Sequence, residues 1–180
     1  ESVAVAPPGF INFRLSPRWL AEQVSVIALE GMSFGDVPLG SGRRVQVEFV
    51  SANPVGPIHV GNGRGLALGD TLARVLAAAG YSVQREYLVN DAGTQTQTFA
   101  ATLYARYEQL FGREVDIPQG GYPGEYMIGL ARELREECGD SLLRASGEPY
   151  PQEVHDIGVA KMLAVIKRDL EAIGVQYDNW

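Results

Sequence analysis

Cysteine is nearly missing from this chain: Cys138 is the only one. A single thiol excludes an internal disulfide and a cysteine-built zinc site, and it fits a reducing compartment such as the cytoplasm. Long apolar runs are also missing. No stretch has the length of a bilayer-spanning helix, and no signal-peptide pattern opens the sequence. Basic residues are in deficit, with 15 Lys and Arg against 22 Asp and Glu for a net charge of −7. Nucleic-acid binding modules normally present a basic face, because phosphate neutralisation supplies most of their affinity. Extensive nucleic-acid contact through these residues is therefore not expected. There is no internal repeat and no long low-complexity tract. What remains is an ordinary globular composition, 46% hydrophobic and 21% charged over 180 residues. That length allows about two-thirds of the unfolded chain's surface to be buried, in one domain or one domain plus part of another.

The stretch Val47 to Leu68 organises the rest. Val45, Val47 and Phe49 alternate with Gln46 and Glu48, which predicts a half-buried strand over Arg44 to Val50. A loop of small residues and prolines follows from Ser51 to Asn62, longer than a βα connection needs, as a ligand-holding loop would be. From Gly63 a helix is expected, with Leu68, Leu72, Val75, Leu76 and Ala79 as its apolar face and Gly80 as its stop. The first turn of such a helix offers unpaired N–H groups at the positive end of the macrodipole, which suits a phosphate. Gly61 and Gly63 let a nucleotide lie close, and His59 and Asn62 add polar groups. Taken alone, the glycine-rich junction is a weak signal, and an isolated His59 reads first as a loop histidine bonded to a backbone carbonyl.

Before this stretch, Glu1 to Gly9 reads as a loose run and Phe10 to Leu15 as a strand. Ser16-Pro17 predicts a helix start, with Leu20, Val24 and Ile27 on one face. Gly31 to Gly42 reads as a surface loop. After it, Tyr81 to Asn90 is expected as a second strand with Val83, Tyr87 and Val89 on one face. Strand, helix and strand of these lengths imply a right-handed βαβ unit with parallel strands. The loops Ser51–Asn62 and Asn90–Gln95 should then share one cleft. Asp91 reads first as a helix cap, and Gln95 as a weaker ligand candidate. Three helices follow, marked by Phe99, Leu103, Tyr107 and Leu110, by Met127, Leu130, Leu134 and Cys138, and by Ile157, Met162, Ile166, Leu170 and Ile173. Tyr122 and Tyr126 read first as packing aromatics, with ligand contact as the other reading, and His155 reads as a surface residue.

His59-Val60-Gly61-Asn62 resembles the first signature of the class I aminoacyl-tRNA synthetases, His-Ile-Gly-His. Within that class, Glu48 to Pro57 (EFVSANPVGP), Gly63-Arg64-Gly65 and Tyr87 to Gln95 (YLVNDAGTQ) resemble arginyl-tRNA synthetases. Gly121 to Tyr126 resembles an insertion of that family's catalytic domain, and Gly174 to Trp180 resembles its approach to the next core strand. The resemblance implies an α/β fold, a partial Rossmann-type parallel sheet of the class I synthetase kind with a helical insertion. Residues 1–15 would end an N-terminal accessory domain that meets tRNA, 16–41 would be a linker helix and loop, and 42–180 the first half of the catalytic domain, with 112–150 insertion-like.

It further implies activation of L-arginine by ATP, with Mg2+ accompanying the nucleotide and no protein-held metal, and transfer of arginine to tRNA(Arg). His59 and Asn62 would be catalytic, and His59, Gly61, Asn62 and Gly63 would hold ATP. Glu48, Ser51 and Asn53 would line the arginine pocket. The signature is Ala52, Asn53, Pro54, Val55, Gly56, Pro57, Ile58, His59, Val60, Gly61 and Asn62. Asn62 stands where the common motif has histidine, so it can donate one hydrogen bond but carries no charge. Lys161-Met162 lies inside a helix pattern and is not the second signature, Lys-Met-Ser-Lys-Ser. These residues alone are therefore expected to be inactive. A monomeric cytoplasmic protein is expected, with most tRNA contact made elsewhere. Two alternatives stand beside this reading: a non-catalytic nucleotide- or RNA-binding paralogue, and a class I synthetase for another amino acid, which Glu48 and Asn90–Gln95 argue against.

Overall fold

In the computed structural model, which describes residues 2–180, the chain divides into two units. The first comprises Glu1–Arg43 with Val75–Ser82, of which Glu1 lies outside the described residues; the second comprises Arg44–Arg74 with Val83–Trp180.

The first unit begins with β1 (Ser2–Ala6) and β2 (Phe10–Arg14), an antiparallel pair in which Ser2 faces Arg14 and Ala6 faces Phe10. The expectation of a loose start is thus corrected. Val3 and Val5 suit extended backbone, and the Gly9 N–H donates to the Ala6 carbonyl at 3.0 Å to close the turn. Helix α1 (Pro17–Glu30) starts as the sequence dictates, with the Ser16 hydroxyl accepting from the Trp19 N–H and Pro17 opening the first turn. Its predicted face is not covered: Leu20, Val24 and Ile27 are all exposed. Gly31 to Gly42 is more ordered than a surface loop. It forms two short 3-10 turns, Gly31–Ser33 and Pro38–Gly40. The N–H groups of Val37, Gly40 and Gly42 reach the carbonyls of Ala78, Ala79 and Gly80 at 2.7–2.8 Å. Carbonyls at a helix C-terminus lack intrahelical partners, and this segment supplies them.

β3 (Arg44–Glu48) and β4 (Ser82–Glu86) form a two-stranded sheet, joined by helix α2 (Val60–Ala78); the second unit holds these elements except for Val75–Ala78 of α2 and Ser82 of β4. Ser82 N–H bonds the Arg43 carbonyl and Phe49 N–H bonds the Glu86 carbonyl, so the two strands advance together and are parallel. Asn179 continues the sheet through a parallel bridge to Glu86. The alternation in β3 is observed, with Val47 and Phe49 buried and Gln46 and Glu48 exposed. Helix α2 starts three residues earlier than expected and buries a different face. Leu66, Gly69 and Ala73 are buried, while Leu68, Leu72 and Val75 are exposed. The small residues decide this: a Cβ at Gly69 would overlap the Phe49 ring, so helix and strand approach where no side chain intervenes.

Helices α3 (Thr94–Gln109), α4 (Glu125–Cys138) and α5 (Gln152–Ala172) complete the unit. Helix α3 packs on both α4 and α5. Phe99, Leu103, Tyr107, Met127, Leu130, Leu134, Met162, Ile166 and Leu170 are buried, as their spacing predicts. On α5, however, Ile173 is exposed and Ile157 only partly covered, whereas Val154, Gly158 and Val159 are buried. Gly158 sets that register, because a Cβ there would lie 2.7 Å from Leu103. His155 is less of a surface residue than expected, its side chain only 16% exposed and its Nδ1 3.0 Å from the Asp156 carboxylate. Lys161 sits inside α5 and pairs with Glu133 and Glu137 of α4.

Candidate functional site

The loop between β3 and α2 leaves the strand through two residues with positive φ, Val50 at 66° and Ser51 at 39°. Such backbone is rare for a β-branched residue and persists only where surrounding contacts hold it. Here the contacts come from Tyr87 and Leu88, directly after β4, and from Tyr177. The Ser51 hydroxyl accepts from the Leu88 N–H at 3.0 Å, the Tyr87 hydroxyl donates to the Ala52 carbonyl at 2.9 Å, and the Tyr177 hydroxyl donates to the Phe49 carbonyl at 3.0 Å. Phe49, Tyr87, Tyr177 and Trp180 form one aromatic cluster under this loop, with Tyr87 and Trp180 stacked at 4.5 Å. Burial pushes the Tyr87 and Tyr177 hydroxyls above their ordinary pKa, so they remain protonated donors at neutral pH.

At its far end the loop becomes a helix cap. The His59 carbonyl accepts from the N–H groups of Asn62 and Gly63, which makes His59 the residue that opens α2. Its Nδ1 accepts from the Gly61 N–H at 3.1 Å, and its own N–H donates to Asn62 Oδ1 at 3.1 Å. This is the reciprocal logic of a capping box, with histidine and asparagine in the two roles. Nδ1 is occupied as an acceptor, which leaves the ring proton on Nε2 and directed away from the cap. Asn62 accepts through its oxygen and keeps its amide nitrogen to donate. A Cβ at position 61 would lie 2.8 Å from His59 Cε1 and 3.0 Å from Nδ1, so glycine is what allows the ring to take this placement.

Beside this cap lies a cavity of about 570 Å³ lined by Ser51 to Asn53, Val55 to Pro57, His59, Asn62, Gln95, Tyr122 and Tyr126. Of the second loop expected to share the cleft, only Gln95, in the first turn of α3, lines the cavity, where the Asn53 amide donates to Gln95 Oε1. Among the described residues, no carboxylate, amine or guanidinium lines the cavity. The N-terminus of α2, the positive end of the helix dipole, opens beside it. Tyr122 and Tyr126 both line the cavity, the placement that their second reading as ligand contacts requires. The glycines and proline of Gly121-Tyr122-Pro123-Gly124 were the sequence signal for a segment shaped to approach another element.

The remaining predicted residues divide. Pro54 is fully buried beneath the loop. Gly61 and Gly63 lie in the first turn of α2 outside the cavity lining, and a Cβ at Gly63 would meet nothing within 4 Å. Ile58 is partly covered, and Val60 is 94% exposed. Glu48 is exposed at the end of β3 and does not line the cavity. Asp91 is exposed and does not cap α3, whose N-cap is Gly93. Among the described residues, no three His, Cys, Asp or Glu side chains gather as a metal site.

A parallel βαβ unit whose helix opens on His-x-Gly-Asn, with a cleft beyond the strand ends, is the architecture of a class I aminoacyl-tRNA synthetase catalytic domain. Residues 23–119 match the family model described as tRNA synthetases class I (R), catalytic domain, and the chain belongs to that family. It is 49% identical over all 180 residues to an arginine–tRNA ligase of Dehalococcoides mccartyi, covering 32% of that protein. It is 46% identical over 179 residues to the arginine–tRNA ligase of Magnetococcus marinus, covering 31% of it. Among solved structures, an arginyl-tRNA synthetase from Campylobacter jejuni superposes with a TM-score of 0.78 at 33% identity, over 92% of this chain and 36% of that one. The Thermus thermophilus arginyl-tRNA synthetase gives 0.55 at 26% identity, over 99% of this chain and 28% of that one. The chain thus spans about a third of the length of the curated relatives it matches.

Proposed function

We propose that this chain supplies the nucleotide-binding half of an arginine–tRNA ligase active site. The arginine carboxylate would attack the α-phosphate of ATP to give arginyl-adenylate and pyrophosphate, and the arginyl group would then pass to the terminal adenosine of tRNA(Arg). Neither step needs an enzyme nucleophile, so catalysis rests on positioning and on stabilising charge at the phosphate. The observation that carries this reading is the His59–Gly61–Asn62 cap beside the cavity. His59 Nε2–H and the Asn62 amide would donate to phosphate or ribose oxygens, and the α2 N-terminus would favour the anion. Mg2+ would arrive on the ATP phosphates, where it neutralises charge.

Ser51 and Asn53 would line the amino-acid end of the cleft, with Glu48 adding a carboxylate that suits a cationic substrate. The exposed position of Glu48 is compatible with a pocket completed by groups outside this chain. With a net charge of −7, most tRNA contact would also lie outside it. A monomer working in the cytoplasm is the setting that fits this reading. The test is titration of the chain with ATP, repeated on His59→Ala. Loss of about tenfold or more in affinity is expected for removing a hydrogen bond to a charged group. Unchanged ATP affinity in the variant would overturn the assignment of His59.

A further inference from the structure

The loop that delivers His59 is held from one side by residues of its own sheet, and from the other by a residue far along the chain. The Tyr126 hydroxyl, at the first turn of α4, donates to the Val55 carbonyl at 2.8 Å across a sequence separation of 71. Two glycines make room for this ring. A Cβ at Gly124 would lie 2.6 Å from Tyr126 Cε1, and one at Gly56 would lie 3.2 Å from its hydroxyl. Tyr126 and Pro57 also line a second cavity, of about 660 Å³, between α4 and α5. The ring therefore stands as a partition between that space and the cavity beside His59. Burial pushes the hydroxyl up to about 12, so it is a protonated donor throughout the neutral range.

We infer that Tyr126 is a positioning residue for this site: by holding the Val55–Pro57 turn, it fixes where the loop hands over to the His59 cap. The segment Gly121–Tyr126 is then a working wall of the site. The consequence for nucleotide binding rests on the function proposed above, whereas the positional role does not. Nothing between Val55 and His59 other than the loop backbone has to carry the effect, since only Gly56, Pro57 and Ile58 intervene.

The experiment is amide hydrogen exchange on the ligand-free chain, in the native protein, Tyr126→Phe and Gly56→Ala, followed by ATP titration of each. Tyr126→Phe keeps the ring and removes only the donor. Gly56→Ala presses on the same contact from the loop side. Both are expected to speed exchange at the His59, Gly61 and Asn62 amides by about three- to tenfold, the worth of one ordinary hydrogen bond. Amides within α3 and α5 should be unaffected. Unchanged exchange at the cap would overturn the inference. So would acceleration spread evenly through α4 and α5, which would mark Tyr126 as a packing residue only. If the native chain binds no ATP, the nucleotide assignment fails while the exchange data still decide the role of Tyr126.

Discussion

Replacing Gly61 with alanine separates the geometry of the cap from the stability of the helix it begins. In an exposed helix, glycine to alanine ordinarily stabilises by up to about 1 kcal/mol, through lower unfolded-state entropy and better helix propensity. At this position the new Cβ would sit 2.8 Å from His59 Cε1 and 3.0 Å from Nδ1. Those atoms belong to an exposed ring that can rotate away, so relief comes from moving the imidazole and leaving the backbone in place. The move breaks the bond from the Gly61 N–H to Nδ1, an N-cap interaction of about 1 kcal/mol. Gain and loss nearly cancel. The expected result is a melting temperature close to the native one together with an ATP affinity weakened by about tenfold, because Nε2 no longer points where the cap held it. Thermal unfolding followed by circular dichroism and calorimetric titration with ATP read the two quantities separately. Native-like ATP affinity in Gly61→Ala would refute the reasoning, since the ring would then have no need of its cap.

Other positions test other links. Gly69→Ala places a methyl against the Phe49 ring at the closest approach of α2 to β3, and overpacking of this kind typically costs about 1–3 kcal/mol, to be read from chemical denaturation. Asn53→Ala and Gln95→Ala remove opposite ends of one hydrogen bond, so a double-mutant cycle on ligand affinity should be non-additive. Tyr126 has a folded-state pKa raised above 10, so its contribution to stability is complete below about pH 10 and is lost as pH rises towards about 12. Tyr126→Phe should flatten the alkaline fall of stability in that window, compared with the native chain by denaturation at successive pH values. The chain by itself should support no arginine-dependent pyrophosphate exchange, because it carries no Lys-Met-Ser-Lys-Ser segment.

Much of the local structure was legible in the sequence because it depends on neighbouring residues alone. The β3 alternation, the Ser16-Pro17 helix start and the His59-to-Asn62 junction each lie within a few residues, where backbone geometry follows from residue type. The cap itself was only half legible: the sequence placed polar groups at the helix start, but the earlier start at Val60 makes the pair bond each other before they meet any ligand. Helix α2 shows a different limit. Leu68, Leu72 and Val75 form a proper apolar stripe, yet periodicity cannot say which of two stripes a sheet will take. The stripe with Gly69 wins because close approach to Phe49 leaves no room for a side chain there. The joining of Tyr126 to Val55 was illegible for a third reason. It depends on how α4 packs against α3 and α5, and no local pattern encodes a contact across 71 positions.

The most direct test of the central claim compares two stable analogues, of arginyl-adenylate and lysyl-adenylate, by calorimetric titration of this chain and of Glu48→Ala and His59→Ala. The account predicts tighter binding of the arginyl compound, with both variants losing affinity and Glu48→Ala losing the preference. Equal binding of the two analogues, or full affinity retained in both variants, would contradict it.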